Sequence, residues 1–269
     1  PFGFLALGKA DRPAEGAKLE LEVTAEPRER KGPVLRRLGE AGGAPRLLSP
    51  GPDVADILNR QAPGAAVVTG APAIRAALEA EEEALSGGMI APEVGLDLAI
   101  QRTRALIAVD IDHAPAAGRD SRKGREAANR EGLRQAARLL GLKGWGGLVV
   151  IDLAGVDLHP ETTLTMARQA FVGHEGTAVG PLSRFGLLQL SLPWRRTPAD
   201  ERLSAPGTPE IAALRRLRLA LLADRAAPRL TLRCPPASAG VLSPWLAELG
   251  PRAHMATDAA PGVFEIKEG

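Results

Sequence analysis

The sequence has a single cysteine, Cys234, and no tyrosine among its 269 residues. One cysteine excludes a disulfide within the chain and any zinc site built from several cysteines of one chain. Aromatic residues make up only 3%, which argues against a nucleic-acid platform rich in stacking aromatic side chains. No apolar run approaches the roughly 18–20 residues that span a bilayer, and we recognise no signal-peptide pattern. We therefore expect a cytoplasmic protein with no membrane partner.

The rest of the composition is that of an ordinary globular protein, with 45% hydrophobic and 25% charged residues. The formal net charge is only +2, although the sequence pI is about 9.1. A generally basic surface is therefore not assured, and contact with nucleic acid depends on where the positive charges cluster. The length suffices for one large domain or two small ones.

The first part of the chain predicts short strands followed by an α/β segment. In residues 1–36 apolar and charged residues alternate, which is typical of half-exposed strands. In residues 37–86 apolar runs alternate with helical patterns, until Gly87 and Gly88 break the chain. The elements predicted here are strands at 2–7, 18–24, 46–48 and 65–69, and helices at 54–60 and 72–85.

The segment 87–196 carries the most informative pattern. An apolar, β-rich run over 105–112 ends in acidic residues, a helix is predicted over 126–140, and a second apolar run over 148–153 again ends in an acid. Strand, helix and strand at this spacing predict a βαβ unit with two parallel strands.

The remaining segment, 197–269, predicts a small α/β module. Thr208, Pro209 and Glu210 have the order typical of a helix start. We expect Cys234 to be a core residue of this module. Its predicted elements are a helix from 208, a strand at 229–233, a helix at 241–249 and a strand at 262–266.

Acidic side chains follow the two strands of the predicted βαβ unit. Side chains alternate along a strand, so Asp110 and Asp112 share one face. If the strands are parallel neighbours about 4.8 Å apart, Asp110 and Asp152 project side by side at the edge where ligands of open α/β sheets bind. Carboxylates this close need a cation between them, or one takes up a proton. Such an Asp is also common as a turn or helix cap, and spacing alone leaves both interpretations open.

Three segments resemble motifs of the ribonuclease E/G family. Residues 103–112, TRALIAVDID, are similar to the family's T-x-A-L-x-x-I-D-[IV]-[ND] run, which carries the first metal-binding Asp. Residues 129–152 are similar to its stretch from N-x-E-A-A to I-D-F, which includes the second metal-binding Asp. Residues 183–191, SRFGLLQLS, are similar to [ST]-R-F-G-L-x-E-M-[ST]. The three motifs stand in the family's order with compatible spacing.

This resemblance implies a fold and a division of the chain. The expected architecture is α/β: a ribonuclease E/G-like catalytic region with a partial S1/OB β segment and a small C-terminal α/β module. The expected domains are the S1-like segment at 1–36, an RNase H-like segment at 37–86, a catalytic DNase I-like subdomain at 87–196 and the small domain at 197–269.

The resemblance also implies an activity, a Mg²⁺-dependent endoribonuclease that cuts single-stranded RNA in processing or decay and leaves a 5′-phosphate. Asp110 and Asp152 would bind Mg²⁺, and Asp112 would help to set water or metal. Asn129 would support the catalytic site from the start of the helix.

Further residues are implied as RNA contacts. Arg184 and Phe185 would lie near the scissile strand, while Phe4 and Lys31 would occupy RNA-contacting positions of the S1 domain. A run of basic residues also follows the first acidic strand end, where it could meet phosphates. Because charge runs are often only solvated surface, RNA contact by this run stays open. Its members are Arg119, Arg122, Lys123 and Arg125.

The sequence also departs from the family pattern. The Cys-Pro-x-Cys zinc link expected after Ser191 is absent, so no zinc-linked dimer is expected, and the oligomeric state is left open. The stretch between Lys31 and Arg46 is too short for the family's 5′-end sensor. These losses also fit a catalytically inactive relative that still binds RNA, which is the alternative function. An unrelated α/β enzyme would leave the three ordered motifs unexplained.

Overall fold

The computed structural model describes residues 2–8, 12–29, 31–114, 121–155 and 159–269. Within these ranges the chain is a mixed α/β protein with three sheets and seven α-helices. It divides into two compact units, each assembled from separate stretches of chain. The first unit comprises Pro1–Ala6, Val23–Leu35 and Ala80–Arg202, and the second comprises Leu7–Glu22, Arg36–Glu79 and Leu203–Gly269. No helix in the described ranges is both long and apolar enough to cross a membrane.

The N-terminal residues form a small sheet followed by two helices. The sheet has the order β1-β3-β2, and β1 pairs parallel with β3. A capping box at Asp53, in which Asp53 and Asp56 each accept the other's backbone N–H, starts the first helix. The elements are β1 (Phe4–Leu5), β2 (Leu19–Ala25), β3 (Val34–Glu40), α1 (Val54–Gln61) and α2 (Gly70–Leu85).

The predictions for this part of the chain were only partly correct. The two helices are confirmed, but the strands predicted at 46–48 and 65–69 are wrong, and β3 was not predicted. In the second of these stretches Val67 and Val68 are 74% and 63% exposed, so no apolar face is buried there. A strand needs a partner for its backbone groups, and an apolar run alone does not provide one.

The central sheet has six strands in the order β4-β5-β6-β7-β9-β8. Strands β6 and β7 are parallel neighbours joined through a helix, which confirms the predicted βαβ unit. The other pairs of neighbours in this sheet are antiparallel. The elements are β4 (Gly88–Ala91), β5 (Leu96–Arg102), β6 (Ile107–His113), α3 (Arg122–Lys143), β7 (Gly147–Asp152), α4 (Pro160–Ala170), β8 (Ala178–Val179), β9 (Leu188–Leu192) and α5 (Ala199–Leu203).

The two faces of this sheet differ sharply in burial. Along β5, β6 and β9 buried and exposed residues alternate, as expected for a sheet packed on one side only. The buried face meets α3, and α3 in turn packs on α4. We call the other side the open face of the sheet. Its exposed positions are Asp97, Ala99, Gln101, Ala108, Asp110, Asp112, Leu148, Asp152, Gln189 and Ser191, with Val150 partly exposed.

Two details hold α3 in place. A Cβ on Gly132 would lie 2.6 Å from Cγ2 of Ile111, so the close approach of helix and sheet requires glycine there. At the other end of the helix Lys143 is 1% exposed. Its ammonium donates hydrogen bonds to the carbonyl oxygens of Ala84 and Ser86 at the end of α2. Burial lowers the pKa of Lys143.

The C-terminal segment contains an α/β arrangement with a core of its own. Its three-stranded sheet has the order β11-β10-β12, with β11 parallel and β12 antiparallel to the central strand. Cys234 is fully buried in this core beside Leu217 and Leu232, which confirms its predicted packing role. The strand β11 was not predicted. The elements are α6 (Thr208–Ala223), β10 (Leu230–Arg233), α7 (Ala239–Ala247), β11 (Ala253–Ala256) and β12 (Glu265–Glu268).

Candidate functional site

Asp110 and Asp152 lie side by side on neighbouring parallel strands. The register of β6 and β7 pairs the two residues directly, which places their backbones about 4.8 Å apart. Both side chains are exposed on the open face. Asp152 ends its strand as predicted, whereas β6 continues past Asp110 to His113. The predicted juxtaposition of the two carboxylates is confirmed at the level of strand register.

Two further acids stand next to this pair. Asp112 shares the open face with Asp110, as predicted, and the register of β5 and β6 pairs Asp112 with Asp97. The pKa of Asp110 is raised, first by desolvation and then by the negative charges of Asp112, Asp152 and Asp97. Like charges directly opposite each other destabilise a sheet, so this arrangement favours a bound cation or a bound proton.

Sequence reasoning missed Asp97 because it did not recognise β5. A signal was present: Leu96, Leu98 and Ile100 alternate with Asp97 and polar or small residues, which is the period of a half-buried strand. The exposed positions of β5 therefore belong to the surface beside the two acids.

Asn129 is buried one layer beneath the acids, with 2% of its surface exposed. Its amide nitrogen donates to the carbonyl oxygen of Ala154 at 2.9 Å, and its amide oxygen accepts from the N–H of Ala154 at 2.8 Å. Ala154 lies in the turn after Asp152, whose Oδ1 accepts the N–H of Leu153 at 3.0 Å. Asn129 thus holds the backbone that follows Asp152.

A tight turn carries Arg184 and Phe185 to the same edge of the sheet. Ser183 closes the turn, since its hydroxyl accepts the N–H groups of Phe185 and Leu187. Strand β9 then begins opposite the end of β7, with Leu188 paired to Ile151, so this turn lies beside Asp152. The ring of Phe185 is 75% exposed, and the guanidinium of Arg184 lies 4.8 Å from its centroid.

The sequence of the segment that contains these residues was compared with models of known protein families. Residues 73–193 match the sequence model of the ribonuclease E/G family. This segment of the chain belongs to the ribonuclease E/G family. The matched segment contains the acid pair, Asn129 and the Ser183 turn, and this match indicates a ribonuclease-type function. A comparison with curated proteins finds no match.

One described member of the basic run at the start of α3, Arg125, lies near the turn that follows Asp152. Arg122 pairs with Glu126 at 3.1 Å on the exposed side of the helix, and Lys123 is exposed. Arg125 lies against the turn after β7, because a Cβ on Gly155 would be 3.1 Å from its Nε. Arg119 lies outside the described residues.

Phe4 and Lys31 lie elsewhere in the first unit. Lys31 pairs with Arg28 across a short turn, and this turn is fixed to the segment after β9, where Glu26 donates to the carbonyl of Arg195. That segment follows Leu192, which pairs with Gly147 at the start of β7, about 16 Å along the strand from Asp152. The structure therefore does not bring the predicted S1-type contacts to the acid pair.

Phe4 has an aromatic neighbour that sequence reasoning did not single out. Its ring meets Phe2 edge-on at a centroid distance of 6.1 Å, and the two side chains are 50% and 70% exposed. Phe2 precedes β1, and the two rings form a small exposed aromatic pair, a type of surface to which bases bind by stacking.

The two carboxylates of the acid pair are donors that could hold a divalent cation such as Mg²⁺. In the described parts of the chain, no group of three or more His, Cys, Asp or Glu side chains could hold a metal ion. Mg²⁺ is commonly bound by one or two carboxylates, with water and substrate phosphate completing its shell. Two adjacent carboxylates match that need, whereas a structural zinc site would require four protein ligands.

Proposed function

We propose that this protein is a Mg²⁺-dependent endoribonuclease that hydrolyses single-stranded RNA, with the metal held by Asp110 and Asp152. The observation that carries the proposal is the strand register that pairs these two residues on an exposed face. The raised pKa of Asp110 supports it, because crowded carboxylates gain most from a divalent cation.

A bound Mg²⁺ would supply charge stabilisation at the phosphodiester and would activate a water molecule. The protein's own groups prepare the site for that chemistry. Asp112 lies two residues from Asp110 on the same face and can accept a hydrogen bond from the attacking water. Asn129 fixes the turn after Asp152, so that its carboxylate is presented from a rigid strand end.

Substrate binding is assigned to the edge of the sheet around the acids. Lys123, Arg125 and Arg184 place positive charge there, which attracts phosphates and offsets their repulsion from the acids. The exposed ring of Phe185 offers a surface for a base beside Asp152. To contact Phe4 as well, an RNA bound at the acids would have to extend along the first unit to the opposite end of the central sheet.

The test is cleavage of a short, fluorescently labelled, A/U-rich single-stranded RNA. Wild type and Asp152→Asn are compared with Mg²⁺ and with EDTA, and Asp258→Asn serves as a matched substitution in the C-terminal module. We expect cleavage by wild type and by the control only with Mg²⁺, and none by Asp152→Asn, with RNA binding by Asp152→Asn little changed.

The alternative function is RNA binding without cleavage. It is favoured by the hydrogen bond from Leu153 to Asp152, which is also what a purely structural turn cap would form. This alternative predicts salt-sensitive RNA binding, no cleavage with any divalent ion, and no effect of Asp152→Asn on binding. That combination of results would refute the nuclease proposal.

A further inference from the structure

The open face of the sheet carries a groove that continues from the acid pair toward the start of β7. The groove has a volume of about 560 Å³ and is lined, among others, by Asp110, Asp152, Gln101, Ala108 and Val150. All of these residues belong to the first unit. The volume falls in the range of about 300–1,000 Å³ that small-molecule sites occupy.

The strand registers arrange the floor of this groove in two rows. The first row contains Ala99, Asp110 and Asp152, which are paired across three neighbouring strands. The second row lies two residues farther back along β6, at a distance of about 6.6 Å. Gln101, Ala108 and Val150 form this row within the groove. Gln189, which pairs with Val150, continues the row on β9 beside the groove.

The second row has the chemistry of a base-binding surface. Ala108 and Val150 form a small apolar centre that a flat ring can cover, and one glutamine flanks it on each side. No Lys or Arg lies in this row, so a phosphate has no partner there. Among the described residues the amide of Gln101 forms no hydrogen bond, and an amide can donate to and accept from the edge of a base.

We infer that the second row is a subsite for one nucleobase next to the scissile phosphate, with Ala108 and Val150 under the ring and Gln101 at its edge. This subsite rests on the proposed nuclease function, because the first row positions the phosphate. The second row adjoins the acids, and this decides which ligand it binds. An RNA whose phosphate lies at Asp110 and Asp152 has a neighbouring base within reach of the second row. Single-stranded bases are recognised in this way, splayed from the stack and bonded along an edge.

Ala108→Leu fills the proposed subsite without adding charge. The matched control is Ala178→Leu, which makes the same change at an exposed position on β8, outside the groove. Substrates are short RNAs of one sequence, each with a single abasic nucleotide at a different position. We expect Ala108→Leu to raise KM about tenfold or more, with a smaller effect on kcat, and Ala178→Leu to behave like wild type.

The abasic series separates base binding from a general structural effect. In wild type one abasic position should raise KM, and in Ala108→Leu that same position should have no further effect. Gln101→Leu should reduce the differences among substrates that carry A, C, G or U at that position. Circular dichroism and thermal unfolding establish that each variant is folded.

Two results would count against these ideas in different ways. If wild type cleaves RNA while Ala108→Leu has the KM of Ala178→Leu and the wild-type response to abasic substrates, the subsite is wrong and the nuclease proposal stands. If wild type does not cleave RNA under any divalent-ion condition, the nuclease proposal fails and the subsite fails with it.

Discussion

Replacing Asn129 by alanine is expected to destabilise the protein strongly, because its amide satisfies both backbone groups of Ala154. Asn129 and Ala154 are only 2% and 7% exposed. Each buried backbone group left without a partner costs about 1–3 kcal/mol. With some relief from water entering the space, we expect a loss of about 2–4 kcal/mol in the free energy of unfolding.

The assay is urea unfolding followed by circular dichroism, with Gln135→Ala as the matched control. Gln135 lies on the same helix and also forms two hydrogen bonds through its amide, but with the side chains of Glu131 and Arg138. Those side chains can turn to water and leave no buried group without a partner, so the control should lose only about 1 kcal/mol. If Asn129→Ala loses no more than Gln135→Ala, the role assigned to the two bonds with Ala154 is refuted.

Asn129→Asp provides a second, pH-dependent readout. The aspartate keeps an oxygen that accepts the N–H of Ala154. It also places a buried carboxylate against the carbonyl oxygen of Ala154. Its folded-state pKa should therefore rise above the unfolded value of about 3.9. A raised pKa means that stability is present below the unfolded pKa and is lost as pH rises through the folded pKa. This variant should thus recover stability as the solution is acidified, and Asn129→Ala should not.

Two further predictions concern the stability of the fold. Gly132→Ala should lower the melting temperature, because its Cβ would meet Ile111 at 2.6 Å, whereas Gly240→Ala, with open space around its Cβ, should leave it unchanged or raise it. The bond to Arg138 lowers the pKa of Glu83 below its ordinary value of 4.5. The ion pair of Glu83 with Arg138 stabilises the fold by less than about 1 kcal/mol, because both side chains are partly exposed. This stabilisation should be lost as pH falls through the lowered pKa of Glu83. Acid titrations of stability for wild type and Glu83→Gln should therefore converge at low pH; curves that stay parallel would contradict this.

Some of the candidate site could be predicted from sequence because it depends on local pattern. The apolar run that ends in acids at 110–112, the helical pattern after it and the apolar run before Asp152 together predict a βαβ unit. Its two strands are parallel because a helical crossover joins them. Alternation along a strand then puts Asp110 and Asp112 on one face. Asn129 could be placed on the buried side of α3 from its spacing to Leu133.

Other features depend on pairing between distant residues, and local pattern does not encode them. The register that sets Asp97 against Asp112 requires knowledge of which strand lies beside β6. The run at 65–69 has strand-like composition, yet it finds no partner and stays outside any sheet. The bonds from Lys143 to Ala84 and Ser86 join positions more than fifty residues apart, and no spacing rule predicts them.

The one-sided packing of the central sheet has a consequence for how this chain can evolve. The residues that anchor the fold point toward α3, while Asp110 and Asp152 point away from it and lie outside the core. Mutations on the two sides of the same strands are therefore under separate selection. A lineage could exchange both acids and lose the proposed cleavage activity while the protein still folds and accumulates normally. In this architecture intact folding is a poor guide to intact activity, and each homologue must be judged by the residues on its open face.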